Sequence, residues 1–474
     1  MTGRQPLILC VMLAVLFCGG TAWAHTAERG FILLLPTEYY LLGGTLSVAV
    51  SFAILFAIAP ARIAEAAADR FCLPWFRASY LDEMFAAASF LLFVFLIYCG
   101  VEGTRDPLTN PLPQAVWTLG WVGITILHAV VGNLWAVLNP WRFPVRLMRR
   151  AAGLTPDGAG RFALPPGLTG WPAIAFFMAI AWFELVDLAP DDPDRLAIAV
   201  AGYWLVHFLG AVLFGERQWL NAAEPLTILF RYLALIAPVG TENRSGQRRL
   251  TLAWPGARVL DADPPPVAVA LFLLLTLATV SFDGLNMTFW WLGLNGINPL
   301  EFPGRSAVTN INTAGLAAAW IALAGLYATA VLLGQWLGRA PFLPAFRLFV
   351  LSILPISLAY HLSHYLTVLL VNGQWALVAA NDPLGTGSDL LGLRDFRVTT
   401  SFLNVAEDVE RLWQFQVGVI VAGHILAVVL AHGLSRRIPY GRHNFQMVSQ
   451  IPMAALMVGY TLFGLWLLSS PTGG

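Results

Sequence analysis

Ten apolar runs divide the chain, at about 37–60, 84–101, 114–138, 168–188, 195–214, 267–282, 312–337, 345–371, 413–434 and 447–468. Crossing about 30 Å of hydrocarbon takes about 20 apolar residues in a helix, and in lipid each backbone N–H and C=O must be satisfied internally. The fold class this leaves is all-α: a polytopic membrane helix bundle with about ten transmembrane helices. Composition agrees, since 58% of the 474 residues are apolar and only 11% are charged, against about a quarter charged in a soluble domain. Formal net charge is zero and no basic block is present to neutralise a run of phosphates, so nucleic acid is excluded as a partner. The lipid bilayer is the partner such a surface requires.

The first 24 residues read as a cleaved signal peptide. Arg4 supplies a positive n-region, Leu7 to Cys18 an apolar stretch, and Ala22 and Ala24 an Ala-x-Ala site, the pattern of secretory cleavage. An uncleaved anchor is the alternative. Cleavage leaves 25–474 as a single polytopic membrane domain that begins with His25 outside the cytoplasm. Cys10 and Cys18 leave with the signal, and Cys72 and Cys99 fall near opposite faces of the membrane, so no disulfide is expected.

Orientation follows from arginine. All 27 basic residues are Arg; Arg4 belongs to the signal, and 19 of the other 26 fall in alternate loops if the N-terminus is outside. The positive-inside rule then makes those loops cytoplasmic and both mature termini periplasmic, in a bacterial inner membrane. Of the 27 acidic residues, 17 lie on the opposite side, which gives the outer face a field that draws cations.

Two connections depart from simple alternation. The cytoplasmic connection at 215–266 contains an apolar stretch, Trp219 to Pro238, interrupted by Glu224 and Arg231, which predicts an interfacial or re-entrant helix. The outer loop at 372–412, rich in Gly, Asn, Asp and Ser, predicts a periplasmic cap. No repeat period or inverted repeat is evident, which weighs against a transporter.

Ionisable groups inside spans cost several kcal/mol unless paired, and so mark function. At ~1.5 Å per residue, His128, His207, His361 and His424 reach a similar depth from four helices, with His364 one turn above His361. Above them come Glu184 and Asp187, three residues apart, and Asp283. Histidines and carboxylates from several helices are how bundles build metal sites. His361, His364, His424 and Asp283 are therefore the candidate ligands of a divalent ion such as Zn or Cu. Glu184 and Asp283 are the candidate catalytic carboxylates. His25 could add a copper-chelating N-terminal amine and ring nitrogen. His432 reads as a snorkelling or capping residue near the inner interface, and His443 belongs to a loop.

Short motifs recur along the chain: Asn139 to Arg142; Trp182 to Leu185; Phe214 to Arg217, with Trp219 and Glu224; and Ser281 to Gly284. Then come His364-Tyr365, Gly373-Gln374, Asp382 to Gly385 with Gly387, Asp389 and Gly392, then Gln416-Val417, Gly423-His424 and Ala431-His432. In this order they resemble the fenitrothion-hydrolase-like integral membrane proteins of bacteria, over most of the mature chain. The resemblance implies hydrolysis of an organophosphorus aryl ester, a hydrophobic small molecule that enters from the bilayer. It supplies no established active site. Joined to the candidate ligands, it implies a metal-dependent hydrolase in which the ion activates water and Glu184 acts as general base or supports a ligand.

Two other readings use the same residues. One is a permease or metal-handling protein, with the carboxylates and histidines forming a cation path. The other is a redox or assembly component in which histidines bind haem or copper. No P-loop, nucleophile elbow or dinucleotide fingerprint is present, which disfavours ATP-driven transport and serine hydrolysis.

Overall fold

The computed structural model describes residues 35–472, apart from 36, 76–78, 157, 245–246 and 302–303. The segment expected to be a signal peptide, and His25, lie outside the described residues. Each of the ten apolar runs forms a helix: α1 (Thr37–Leu55), α2 (Ser79–Glu102), α3 (Pro111–Val131), α4 (Trp171–Leu185), α5 (Pro193–Phe214), α6 (Val267–Leu285), α7 (Arg305–Gly338), α8 (Leu354–Asn381), α9 (Ala406–Ser435) and α10 (Ile451–Ser469). Among the described residues nine are long and apolar enough to cross a membrane; α4, with 15 residues, is the shorter one. The chain is an all-α polytopic bundle suited to a lipid bilayer.

The bundle is organised around α6. In its most apolar stretch 78% of residues are buried inside the protein, against 11% for α1. A helix that is apolar all round belongs in the centre. Around α6 pack α4, α7, α8 and α10, and α9 closes on α8, α1 and α10. Lipid tails are as apolar as leucine, so helix contact rests on close packing at small residues and on polar bonds between helices. Both occur here. Gly423 of α9 lies so close to Ala359 and Pro355 of α8 that a methyl group would overlap them. Ser363 Oγ donates to Gln416 O at 3.0 Å, and Gln416 Nε2 donates back to Ser363 O at 2.9 Å. Trp320 Nε1 donates to Leu271 O at 3.0 Å, tying α7 to α6.

Helix ends are capped as their sequences allow. Asp192 accepts from Arg195 N at 3.1 Å ahead of Pro193, a carboxylate cap followed by proline at the first helical position. Within α3, residues Gln114–Ile124 adopt π-helical winding, a form that frequently accompanies functional sites.

The two connections both carry regular structure. The 215–266 segment holds two short helices, Glu216–Ala223 and Pro225–Leu233, followed by strands β2 (Val239–Arg244) and β3 (Gln247–Leu252). With β1 (Phe71–Cys72) they form an antiparallel sheet in the order β1-β3-β2. In the 372–412 segment α8 continues to Asn381 and α9 begins at Ala406, so the loop proper is 382–405. It is anchored by Asp382, which accepts from Thr386 N at 3.0 Å, Gly387 N at 2.7 Å and Ser388 Oγ at 2.7 Å. Gly385, Gly387 and Gly392 all have positive φ. Cys72 and Cys99 are free thiols.

Candidate functional site

At the end of the bundle where α4 and α6 finish and α7 begins, three helices bring together four polar side chains. Asp283 is on α6, Glu184 on α4, and His364 and Tyr365 are neighbours on α8. His364 Nε2 donates to Asp283 Oδ2 at 2.8 Å and the Tyr365 hydroxyl donates to the same oxygen at 2.6 Å. Glu184 Oε1 lies 3.3 Å from that hydroxyl. A phenol has one hydrogen, so the contact with Glu184 becomes a second hydrogen bond only when Glu184 itself carries a proton. Arg305, at the start of α7, donates to the carbonyls of Glu184 at 2.9 Å and Asp187 at 3.0 Å. It thus caps α4 with positive charge at a helix C-terminus.

Asp283 and His364 line a cavity of about 300 Å³, bounded also by Tyr360, Gln416, Ser470 and Pro471. Phe289 N donates to Pro471 O at 3.0 Å, holding the segment that follows α10 against this opening. His364 is about a third exposed and Asp283 less than a fifth, so the ring forms the interface between the carboxylate and the cavity. Its Nε2 is committed to Asp283. Nδ1 lies on the side of Gly284, where even a Cβ would remain 3.8 Å away. A side chain at 284 would pack against that nitrogen, and glycine leaves the space beside it open.

The other predicted residues go elsewhere. His361 Nε2 donates to Trp121 O at 3.0 Å, in the π-helical part of α3. His424 Nδ1 donates to Ile420 O at 2.8 Å within its own helix. His128 is held by Ile124 O at 2.7 Å and Trp135 N at 2.9 Å and stacks on Phe230. His207 accepts from Trp219 Nε1 at 3.1 Å. Asp187 is taken by Arg195, whose Nη2 lies 2.8 and 2.7 Å from its two oxygens. His432 does not snorkel: it is buried, with Nδ1 2.7 Å from Gln450 Oε1 and Nε2 2.8 Å from Ile58 O.

The structure thus joins His364 to Asp283 and brings Glu184 to the same cluster, while His361 and His424 turn a ring nitrogen to backbone carbonyls. Among the described residues no three His, Cys, Asp or Glu side chains converge as a metal-ligand set. Two donors, His364 and Asp283, do not fit the ligand shell of a catalytic zinc, which takes three protein ligands.

A second polar cluster lies at the opposite end of the bundle. Glu216 receives Arg142 Nε at 3.2 Å and Arg146 Nε at 3.0 Å. Fully buried Glu224 accepts from Leu226 N at 2.9 Å and Thr227 N at 2.6 Å, and from Tyr203. Burial pushes the Glu224 carboxyl above its ordinary range, against these hydrogen bonds, which favour the ionised form.

Sequence reasoning missed Tyr365 and Arg305 as members of the site, and Tyr360 and Gln416 as cavity walls. Tyr365 carried a signal, because it adjoins His364 in a quoted motif; Arg305 carried none, its role depending on where α4 ends.

Fold and site together define a polytopic helical membrane protein with an acid–base cluster at the mouth of a cavity. Comparisons with family models, curated proteins and solved structures found no match to the chain.

Proposed function

We propose that the protein is a membrane-embedded hydrolase that acts on an apolar, uncharged ester. The observation that carries this reading is the Asp283–His364 hydrogen bond at the wall of the 300 Å³ cavity. A carboxylate that accepts from one imidazole nitrogen fixes the tautomer and ring orientation, leaving the other nitrogen as a general base. His364 Nδ1 then takes a proton from water as the water oxygen bonds to the ester's phosphorus. The P–O bond to the aryl group breaks and the aryloxide departs. Asp283 stabilises the imidazolium, and Tyr365 with Glu184 holds Asp283 in place. An aryl phosphotriester partitions into the bilayer and suits a cavity of mixed polar and apolar walls. The resemblance to the fenitrothion-hydrolase-like proteins supports that substrate class.

The arginine distribution supports an inner-membrane topology with this site on the periplasmic side. Each of these steps uses the chain's own side chains and water. The test is release of nitrophenolate from a neutral nitrophenyl phosphotriester by the purified protein, with and without a chelator. Hydrolysis that survives chelation supports the dyad; hydrolysis abolished by chelation moves the chemistry to an ion.

A further inference from the structure

Most hydrogen-bond donors on the walls of the Asp283–His364 cavity are already committed. Ser363 Oγ donates to Gln416 O at 3.0 Å, and Gln416 Nε2 to Ser363 O at 2.9 Å. The hydroxyls of Ser469 and Ser470 donate to Trp466 O at 3.0 and 2.7 Å. The Tyr360 hydroxyl has no partner among the described residues, but it is enclosed and wedged against Gly464. Asn286 differs from all of these. It forms part of the cavity wall and is only 4% exposed, yet its side-chain amide has no hydrogen-bond partner among the described residues.

Helix geometry does not account for asparagine at this place. Asn286 ends α6 with φ −59° and ψ −22°, in the ordinary right-handed region, whereas the helix ends that favour asparagine are left-handed. An amide left unpaired in a protein interior costs free energy, and polar groups kept at such cost among membrane-spanning helices mark function. What the position supplies is proximity. Three residues on from Asp283, Asn286 projects about 60° from it around the helix, and both line the same cavity. The amide offers two N–H donors and carries no charge, which suits an uncharged ligand with one strong acceptor.

The geometry points to Asn286 as the hydrogen-bond donor to the phosphoryl oxygen of the ester, an assignment that rests on the ester reading above. That oxygen is the strongest acceptor of a neutral phosphotriester, and it gains negative charge as the water oxygen bonds to phosphorus. A donor held in place before reaction stabilises that charge without reorganising. The amide keeps its own protons throughout, and the bonds that form and break are those of the hydrolysis. Sulfur accepts hydrogen bonds weakly, so a thiophosphoryl ester draws little from the same amide.

The test compares two esters with the same nitrophenyl leaving group, one with P=O and one with P=S, using the purified full chain in liposomes. Asn286→Leu keeps the branched shape and removes the donors, and Asn286→Ala is the second variant should the first not fold. Loss of one such donor lowers kcat about 100- to 1000-fold. That loss should fall on the P=O ester with KM little changed, and the P=S ester should lose far less. A second readout needs no turnover: the phosphorus NMR resonance of triethylphosphine oxide moves downfield when its oxygen accepts a hydrogen bond. Wild type should move it downfield of its position in protein-free liposomes, and Asn286→Leu should not. Equal losses on the two esters, or none, in a folded variant overturn the assignment and leave the ester reading standing. A wild type that turns over neither ester overturns the ester reading instead, and the resonance then decides: a downfield shift lost in Asn286→Leu keeps the phosphoryl contact, and no shift in wild type overturns it.

Discussion

Tyr365 donates to Asp283 Oδ2 at 2.6 Å, the oxygen that also receives His364 Nε2 at 2.8 Å. One carboxylate oxygen thus anchors two adjacent residues of α8 from α6, and the direction of the His364 ring depends on it. Tyr365→Phe removes one of the two donors. Hydrogen bonds to charged groups contribute about 1.5–3 kcal/mol, so kcat should fall about 10- to 150-fold. Because Tyr365 positions Asp283, KM should change little. Steady-state kinetics on the purified variant separate these, and a change confined to KM would contradict a positioning role.

Gly464 of α10 lies against the Tyr360 hydroxyl, so closely that a Cβ would overlap it. Gly464→Ala should destabilise by about 1–3 kcal/mol, the range for overpacking a filled interior. Tyr360→Leu removes the ring edge, hydroxyl, Cζ and Cε2, that the added methyl would overlap. The double variant should therefore recover most of the loss, a coupling that a thermal-melt cycle measures. Additive losses would mean that the two residues do not share this space.

Glu216 is 4% exposed between Arg142 and Arg146. Removing a partner from a buried pair costs about 3–5 kcal/mol when the remaining charge is left alone. Here one arginine remains, so Arg142→Ala should cost less than that, and the pair Arg142→Ala with Arg146→Ala should cost more than the sum. Denaturant unfolding in detergent reads this; strict additivity would contradict it.

The loop that begins at Asp382 should loosen in acid. Partial burial raises the Asp382 carboxyl, but hydrogen bonds from Ser388, Gly387 and Thr386 outweigh it and hold the group below its ordinary range. A carboxyl depressed in the folded state stabilises fully above its unfolded value, about 3.9, and loses that contribution as pH falls through the lower folded value. Hydrogen exchange at Thr386 and Gly387 should be slow and flat from pH 7 to about 4 after correction for intrinsic rates, then rise. Asp382→Ala should be fast throughout. Protection equal in the variant and wild type would show that the loop is held by something else.

The helices were legible because apolar length alone demands them. The small sheet was not: β1 has two residues, pairs across about 180 positions with β3, and leaves no local pattern. Asn372, Gly373 and Gln374 read as a turn, yet α8 runs through them because Gln374 finds partners in the Thr399 backbone, donating to its carbonyl at 3.0 Å and accepting from its N–H at 2.9 Å. Glu184, Asp283 and His364 were legible from the cost of ionisable groups in lipid. The placement of His361 was not. Three residues along a helix turn about 300°, leaving His361 and His364 about 60° apart. That angle aims one at Trp121 of α3 and the other at Asp283 of α6, and only packing fixes which helix lies in each direction.

The central claim is that His364, held by Asp283, removes a proton from water in the cavity. Its most direct measurement is the rate of nitrophenolate release from a neutral phosphotriester by purified wild type, His364→Ala and Asp283→Asn, all in the same bilayer. General-base catalysis contributes about 10²–10⁴-fold. The wild type should turn over substrate, His364→Ala should lose at least about 100-fold of kcat, and Asp283→Asn should lose a comparable amount with the protein still folded. No turnover by the wild type, or turnover undiminished in folded His364→Ala, would contradict the account.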